Sequence, residues 1–194
     1  IRKKKYQIGI WNITEKTSQL IRLSKMESIP KFKTEKRIKE FLSCRLLIHE
    51  MRPKMLINYN KYGAPEANTN DFVSISHSKN MSAVILSKNK VGLDIEKISQ
   101  KALNLSSKFM SKDIHAPLSK AKATLIWCCK EAIYKWNQKG NINFVSDIKI
   151  IPFKIKQHGK INAILRNKSL TLYSPFTASK VPIILSQSFK CSLK

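Results

Sequence analysis

Helical periodicity is what most constrains this chain. Across residues 34–51 the apolar positions Ile38, Phe41, Leu42, Leu46 and Ile48, with the stem of Arg45, recur at helical spacing, and Pro53 stops the pattern. A second stripe, starting at Ser119 or Thr124, runs through Leu125, Ile126, Ala132, Ile133 and Trp136, with Gly140 placed to end it. Short β-like runs surround the two helices. They fall at 6–11, followed by a polar turn; at 57–59, closed by a turn at Gly63-Ala64-Pro65; and at 72–76 and 82–87, joined by the polar loop Ser78-Lys79-Asn80. Further runs lie at 91–95, 148–151, 163–165, 170–173 and 181–185, with a short helix expected over 103–110. Each half thus holds one long helix and several strands, which is an α+β pattern. The chain shows neither a clear linker nor a residue-level repeat.

A chain of 194 residues, 42% hydrophobic and 25% charged, has the composition of a folded globular protein. Its charge is unusual: 37 Lys+Arg against 12 Asp+Glu gives +25, which attracts polyanions in a salt-dependent way. A basic nucleic-acid-binding module answers that charge, as does an acidic protein partner; compositional drift toward Lys, Asn and Ile answers it without any function. The basic residues are scattered, with no aromatic-basic RNA signature and no zinc spacing, so no nucleic acid is expected. The four cysteines lack C-x-x-C spacing, no signal peptide follows Lys3-Lys4-Lys5, and no apolar run is long enough to span a bilayer. A reduced, cytoplasmic chain without membrane contact is expected.

Acids being scarce, Asp94 and Glu96 after Gly92 stand out, since positions two apart on a strand point the same way. On a helix Trp127, Glu131 and Lys135 share one face. Set against each other, Asp94, Glu96 and Glu131 can converge on one hard cation such as Mg²⁺, with Lys135 one turn away for an anionic group. Simpler readings stand beside this: two surface carboxylates at a strand end, and an exposed i, i+4 ion pair worth a few tenths of a kcal/mol. Glu131 is also a candidate to accept the proton of an attacking hydroxyl, and Lys135 to stabilise charge on phosphates. Lys130 lies on another side of the helix and could reinforce that field, while Trp127 suits packing. His77, flanked by Ser76 and Ser78, suits an anion contact built from hydroxyls, backbone N–H and imidazole. Lys36 and Arg37, heading the first long helix, are candidates for the same anion or for a solvated basic face.

These motifs resemble those of the 4′-phosphopantetheinyl transferase superfamily, in its larger, surfactin-synthetase-activating type. Ser74-Ile75-Ser76-His77-Ser78, Val91-Gly92-Leu93-Asp94-Ile95-Glu96 and Trp127-Cys128-Cys129-Lys130-Glu131-Ala132-Ile133-Tyr134-Lys135 carry the likeness. So do Trp11-Asn12-Ile13-Thr14-Glu15, Lys36-Arg37-Ile38-Lys39-Glu40-Phe41-Leu42 with Arg45-Leu46-Leu47, and Tyr62-Gly63-Ala64-Pro65, all in family order up to about Phe153. The resemblance implies a pseudo-twofold pair of similar subdomains, each a long helix on a small, mostly antiparallel sheet. Residues 1–90 are expected to contact coenzyme A phosphates and 91–194 to supply the acids, with the active site between them. It further implies Mg²⁺ held by Asp94, Glu96 and Glu131, the 3′-phosphate of coenzyme A at Ser76 and His77, and an acidic acyl or peptidyl carrier protein as partner, in fatty-acid biosynthesis or a related pathway. A monomer with holo-acyl-carrier-protein synthase activity is expected. Where the family commonly has Gly-Lys-Pro this chain has Gly63-Ala64-Pro65, which raises a degenerate, non-catalytic homologue as a further reading; Lys61 is a nearby substitute.

Overall fold

The structure is a computed structural model that describes residues 2–3, 5–110, 115–156, 158–175 and 183–187. Its elements run β1 (Arg2–Lys3), β2 (Tyr6–Asn12), α1 (Thr17–Ser24), α2 (Glu35–Met51), β3 (Ile57–Tyr59), β4 (Pro65–Ala67), β5 (Phe72–Ser78), β6 (Met81–Ser87), β7 (Val91–Ile95), α3 (Gln100–Asn104) and a 3-10 turn (Ser106–Lys108). The chain continues through α4 (Lys120–Asn137), β8 (Ile148–Ile150), β9 (His158–Leu165), β10 (Lys168–Pro175) and β11 (Ile183–Gln187). The architecture is mixed α+β. One antiparallel sheet has the order β1-β2-β6-β5, another β7-β11-β10-β9-β8, and β3 and β4 form a separate hairpin.

Both long helices start where a hydroxyl caps them. Thr34 accepts the N–H of Arg37 and Ser119 that of Lys122, each satisfying a donor the first helical turn leaves free. Ser119 therefore opens α4, while Thr124 turns its hydroxyl inward to the carbonyl of Lys120. The last turn of α4 closes on Gln138 in the left-handed region (φ 60°), two residues before Gly140. The short helix expected over 103–110 begins earlier, at α3, because Ser99 caps it by accepting the N–H of Ala102. Helix α1 occupies part of what reads as a polar turn; Leu20 is its one buried residue, with Ile21 and Leu23 exposed, so no apolar stripe announces it. Of the run expected at 181–185, positions 181 and 182 lie outside the described residues, and β11 supplies the rest.

Strand β6 is the spine of the first sheet. Val84 and Leu86 pack with Val73 under Cys44, Ile48 and Met51 of α2. Ala83 and Ile85, pointing the other way, join Ile8 and the β7 residues Val91, Leu93 and Ile95 in a core shared by the two sheets. On the far side, α4 covers the second sheet through Ile126, Ile133 and Trp136 against Ile148, Ala163 and Leu172. Burying each such aliphatic side chain is worth about 1.5–3 kcal/mol.

The two sheets meet along β5 and β7, and serine side chains make the join. Ser74, Ser76 and Ser78, alternating on one face of β5, accept the amide N–H groups of Leu93, Ile95 and Lys97 at 3.0, 3.2 and 3.1 Å. Every pair is 19 residues apart, so the strands run parallel with hydroxyls in place of backbone carbonyls. This seam brings the acid-bearing strand alongside the His77 strand.

Candidate active site

Asp94, on β7 and only 3% exposed, is the centre of the site. Its Oδ1 accepts hydrogen bonds from Ser76 Oγ at 2.8 Å and from Lys135 Nζ at 2.7 Å. Its Oδ2 is buried without a hydrogen-bond partner of ordinary geometry, although the thiol of Cys128, a weak donor, interacts with the same carboxylate. Glu96, two residues on, accepts from Ser78 Oγ at 3.0 Å and from the indole N–H of Trp127 at 3.3 Å. Burial, then the charge of Asp94, lifts its carboxyl above the usual range.

Glu131 reaches these acids because α4 lies almost in contact with β7 at Gly92. A Cβ at Gly92 would sit 2.0 Å from the carbonyl oxygen of Ala132 and 2.6 Å from the amide nitrogen of Trp136. Only glycine permits that approach. Burial lifts the Glu131 carboxyl to about 7, with Asp94 and Glu96 adding to the shift and Lys135 opposing it. Acids raise one another in this way only when they are neighbours in a poorly solvated place. Lys135, one turn along, pairs with Asp94 and also reaches Ser76 Oγ at 3.1 Å, so its ion-pair partner is on β7 rather than on its own helix.

The donor chemistry suits a hard divalent cation. Three carboxylates are the oxygen ligands such an ion takes, and the orphaned Oδ2 of Asp94 is an acceptor awaiting a partner. As placed, no three acidic, His or Cys side chains among the described residues form a finished metal cluster. Lys135 holds the cationic position beside Asp94.

Glu131 and Lys135 open onto a cleft of about 270 Å³ whose opposite wall carries Arg37, Glu40 and His77. Asn60 Nδ2 ties the walls by donating to the Gln138 carbonyl at 3.2 Å. His77 Nδ1 lies 3.3 Å from Glu40 Oε2, and its Nε2 contacts Arg37 Nη1. Burial lowers the His77 pKa; Glu40 opposes the shift, and Arg37, Lys135 and Lys36 add to it. Lys36 is 3.7 Å from Glu40 Oε1, with its side chain 65% exposed. The aromatic residues Phe41, Tyr59, Tyr62 and Tyr134 also face this cleft, with the Arg45 guanidinium 5.1 Å from the Phe41 ring centroid.

Two sequence expectations need correction. Ser76 is not an open anion contact: its hydroxyl donates to Asp94 and accepts from Ile95 N–H, which makes it part of the seam. Lys130 does not face the cleft. Its buried Nζ donates to the carbonyls of Phe144 and, at 2.5 Å, Ile148, anchoring the approach to β8, and burial lowers it to about 8. Lys61 places its ammonium 5.2 Å from the ring centroid of Tyr62, a residue that lines the cleft.

A second groove, of about 720 Å³, lies beyond Glu96 and Trp127; Leu105, Phe109 and Phe144 line it, with Lys97, Lys101 and Lys108. Glu40 and the Trp127 N–H are site groups that sequence reasoning passed over. Glu40 at i+3 and i+4 from Arg37 and Lys36 looks like one more surface ion pair, while the position of Trp127 one turn before Glu131 did carry a signal.

Comparison with known proteins bears on this arrangement. A family model described as ACPS, 4′-phosphopantetheinyl transferase superfamily, matches residues 90–189, just over half of the chain and including the acid-bearing strand and helix. No curated protein matches the chain.

Proposed function

The chain belongs to the 4′-phosphopantetheinyl transferase superfamily, and on that premise we propose that it moves the 4′-phosphopantetheine group of coenzyme A onto a serine hydroxyl of an acidic acyl or peptidyl carrier protein. The other product is adenosine 3′,5′-bisphosphate. What supports this reading is that Asp94 and Glu96, on one strand, bear electrostatically on Glu131, on a separate helix, beside a cleft that Glu131 and Lys135 line.

Asp94, Glu96 and Glu131 would hold Mg²⁺, which supplies positive charge to offset that of the pyrophosphate. The chain's own groups do the rest. Lys135, already poised on Asp94, turns its ammonium to the phosphate oxygens as charge shifts to the leaving group. Glu131, as the ionised carboxylate, takes the proton of the attacking serine hydroxyl. Ser76 and Ser78 fix Asp94 and Glu96, so the acids need little rearrangement. Most of the rate advantage then comes from positioning and electrostatics. On this reading residues 1–90 supply the coenzyme A phosphate contacts and 91–194 the acids. The nucleotide takes the cleft beside Arg37 and His77, and the carrier protein approaches from the groove beyond Glu96, where three lysines face its acidic surface.

The test is intact-mass spectrometry of an apo carrier protein incubated with coenzyme A, Mg²⁺ and this protein. A gain equal to the phosphopantetheine arm on the acceptor serine is expected; an unchanged mass across fatty-acid and peptide-synthesis carriers would refute the proposal.

A further inference from the structure

Glu40 is 5% exposed, yet the groups around it are not: the side chains of Lys36, Arg37 and His77 are 65%, 51% and 34% exposed. A carboxylate therefore lies beneath three basic groups that face water, two of which, Arg37 and His77, line the cleft. Its Oε2 accepts from Arg37 Nη1 at 3.1 Å and is 3.3 Å from His77 Nδ1. Burying a carboxylate costs free energy that ion pairing commonly only offsets, so stability alone is a weak account of it.

The contacts dictate an orientation. With Nδ1 turned to Glu40, the His77 ring presents Nε2 outward, where Arg37 Nη1 meets it. An anion entering the cleft can draw Arg37 Nη1 onto itself and accept from His77 Nε2 once the ring takes up a proton there, while Glu40 keeps the ring in place through Nδ1. The cleft thus has two cationic centres on separate elements, Lys135 beside the acids and the Arg37–His77 pair on α2 and β5. Coenzyme A carries two separate anionic groups, the pyrophosphate and the ribose 3′-phosphate.

Resting on the coenzyme A reading above, we propose that Glu40 is a positioning residue: it holds Arg37 and His77 for the 3′-phosphate and so sets the preference for coenzyme A over its 3′-dephospho form. The sign of one measurement separates this from simple charge repulsion. A carboxylate that merely repels the phosphate would, once neutralised, let the anion bind more tightly. A positioning carboxylate, once neutralised, weakens binding.

The experiment measures Kd by calorimetry for coenzyme A and 3′-dephospho-coenzyme A, with Mg²⁺, on the full chain and on Glu40→Gln and Glu40→Asp. The unaltered protein is expected to prefer coenzyme A by about tenfold or more, the worth of one or two charge-assisted hydrogen bonds. Glu40→Gln should cut that preference to about threefold or less while the dephospho ligand binds within about twofold of the unaltered protein, the loss expected when one such bond is misplaced. Glu40→Asp, which keeps the charge, should restore part of the preference; it also serves if Glu40→Gln does not fold. A Glu40→Gln protein with an equal or larger preference overturns the proposal. So does an unaltered protein that binds both ligands equally, an outcome that leaves the transferase reading standing. Failure of the unaltered protein to bind either ligand overturns that reading and the inference with it.

Discussion

Two helices bring charge to the same cleft, and they are seated differently. Helix α4 meets β7 backbone to backbone: a methyl group at Gly92 would lie 2.0 Å from the Ala132 carbonyl oxygen. Helix α2 also crosses its sheet over a glycine, but a methyl at Gly9 would meet the flexible ends of Met51, at 2.8 Å, and Leu47, at 3.0 Å. The acids and Lys135 hang from the rigid contact, whereas Arg37 and Lys36 hang from the compliant one. Chemistry on a phosphate needs fixed groups, while holding a distant anion tolerates adjustment. The same contrast recurs in the side chains. Asp94 is buried and splinted by Ser76, and Arg37 is half exposed and shared between Glu40 and His77.

The sharpest way to break that contrast is to add one methyl group to each glycine. Gly92→Ala should lower stability by about 1–3 kcal/mol, toward the upper end because backbone must move. Since Glu131 and Lys135 shift with the helix, transfer should fall by about 10²-fold. Gly9→Ala should cost about 1 kcal/mol or less and leave transfer within a few-fold, because side chains can swing aside. Chemical denaturation with carrier-labelling rates checks both, and equal effects from the two variants would remove the distinction.

A smaller effect is expected at the seam. Ser76→Ala strips a donor from Asp94 and an acceptor from the Ile95 N–H, leaving buried polar groups short of partners at a cost of about 1–3 kcal/mol. Arg37→Ala on the compliant side should cost about 1 kcal/mol or less, because its side chain is half exposed and Lys36 and His77 remain beside the buried Glu40 carboxylate. Denaturant midpoints compare them; a Ser76→Ala protein as stable as Arg37→Ala would mean the hydroxyl seam is dispensable.

A separate expectation is a pH dependence of the metal-free protein. Glu131 is lifted from 4.5 to about 7, so between those values the folded chain holds a proton that the unfolded chain has lost. The stabilising contribution is complete below 4.5 and is lost as the pH rises through about 7. The melting temperature should therefore fall over that window more steeply than in Glu131→Gln, where the group cannot titrate. Parallel curves would place Glu131 in an ordinary solvated setting.

Much of this was legible in the sequence, for definite reasons. The two long helices stood out because each buries a stripe over several turns, with Thr34 and Ser119 at their heads. Helix α1 did not, since it buries Leu20 alone. Asp94 and Glu96 were legible by strand alternation, and Glu131 with Lys135 by helical spacing. The serines of β5 were legible as a row of hydroxyls on one face, but their partners are amides 19 residues away, which no local pattern reveals. Helical spacing put Lys130 on another side of the helix from Glu131, and that side sends it to the carbonyls of Phe144 and Ile148, partners that spacing on one helix does not reveal. Glu40 was hidden because its burial is set by β5, which the spacing on α2 does not encode.

The central claim is that Glu131, brought to Asp94 and Glu96 by the Gly92 contact, does the proton chemistry of transfer. The direct measurement is the rate of carrier-protein labelling by Glu131→Ala beside the unaltered protein, followed by mass spectrometry with coenzyme A and Mg²⁺ in excess. A loss of about 10²–10⁴-fold with cooperative thermal unfolding retained is the predicted result. Near-normal labelling by that variant would contradict the account.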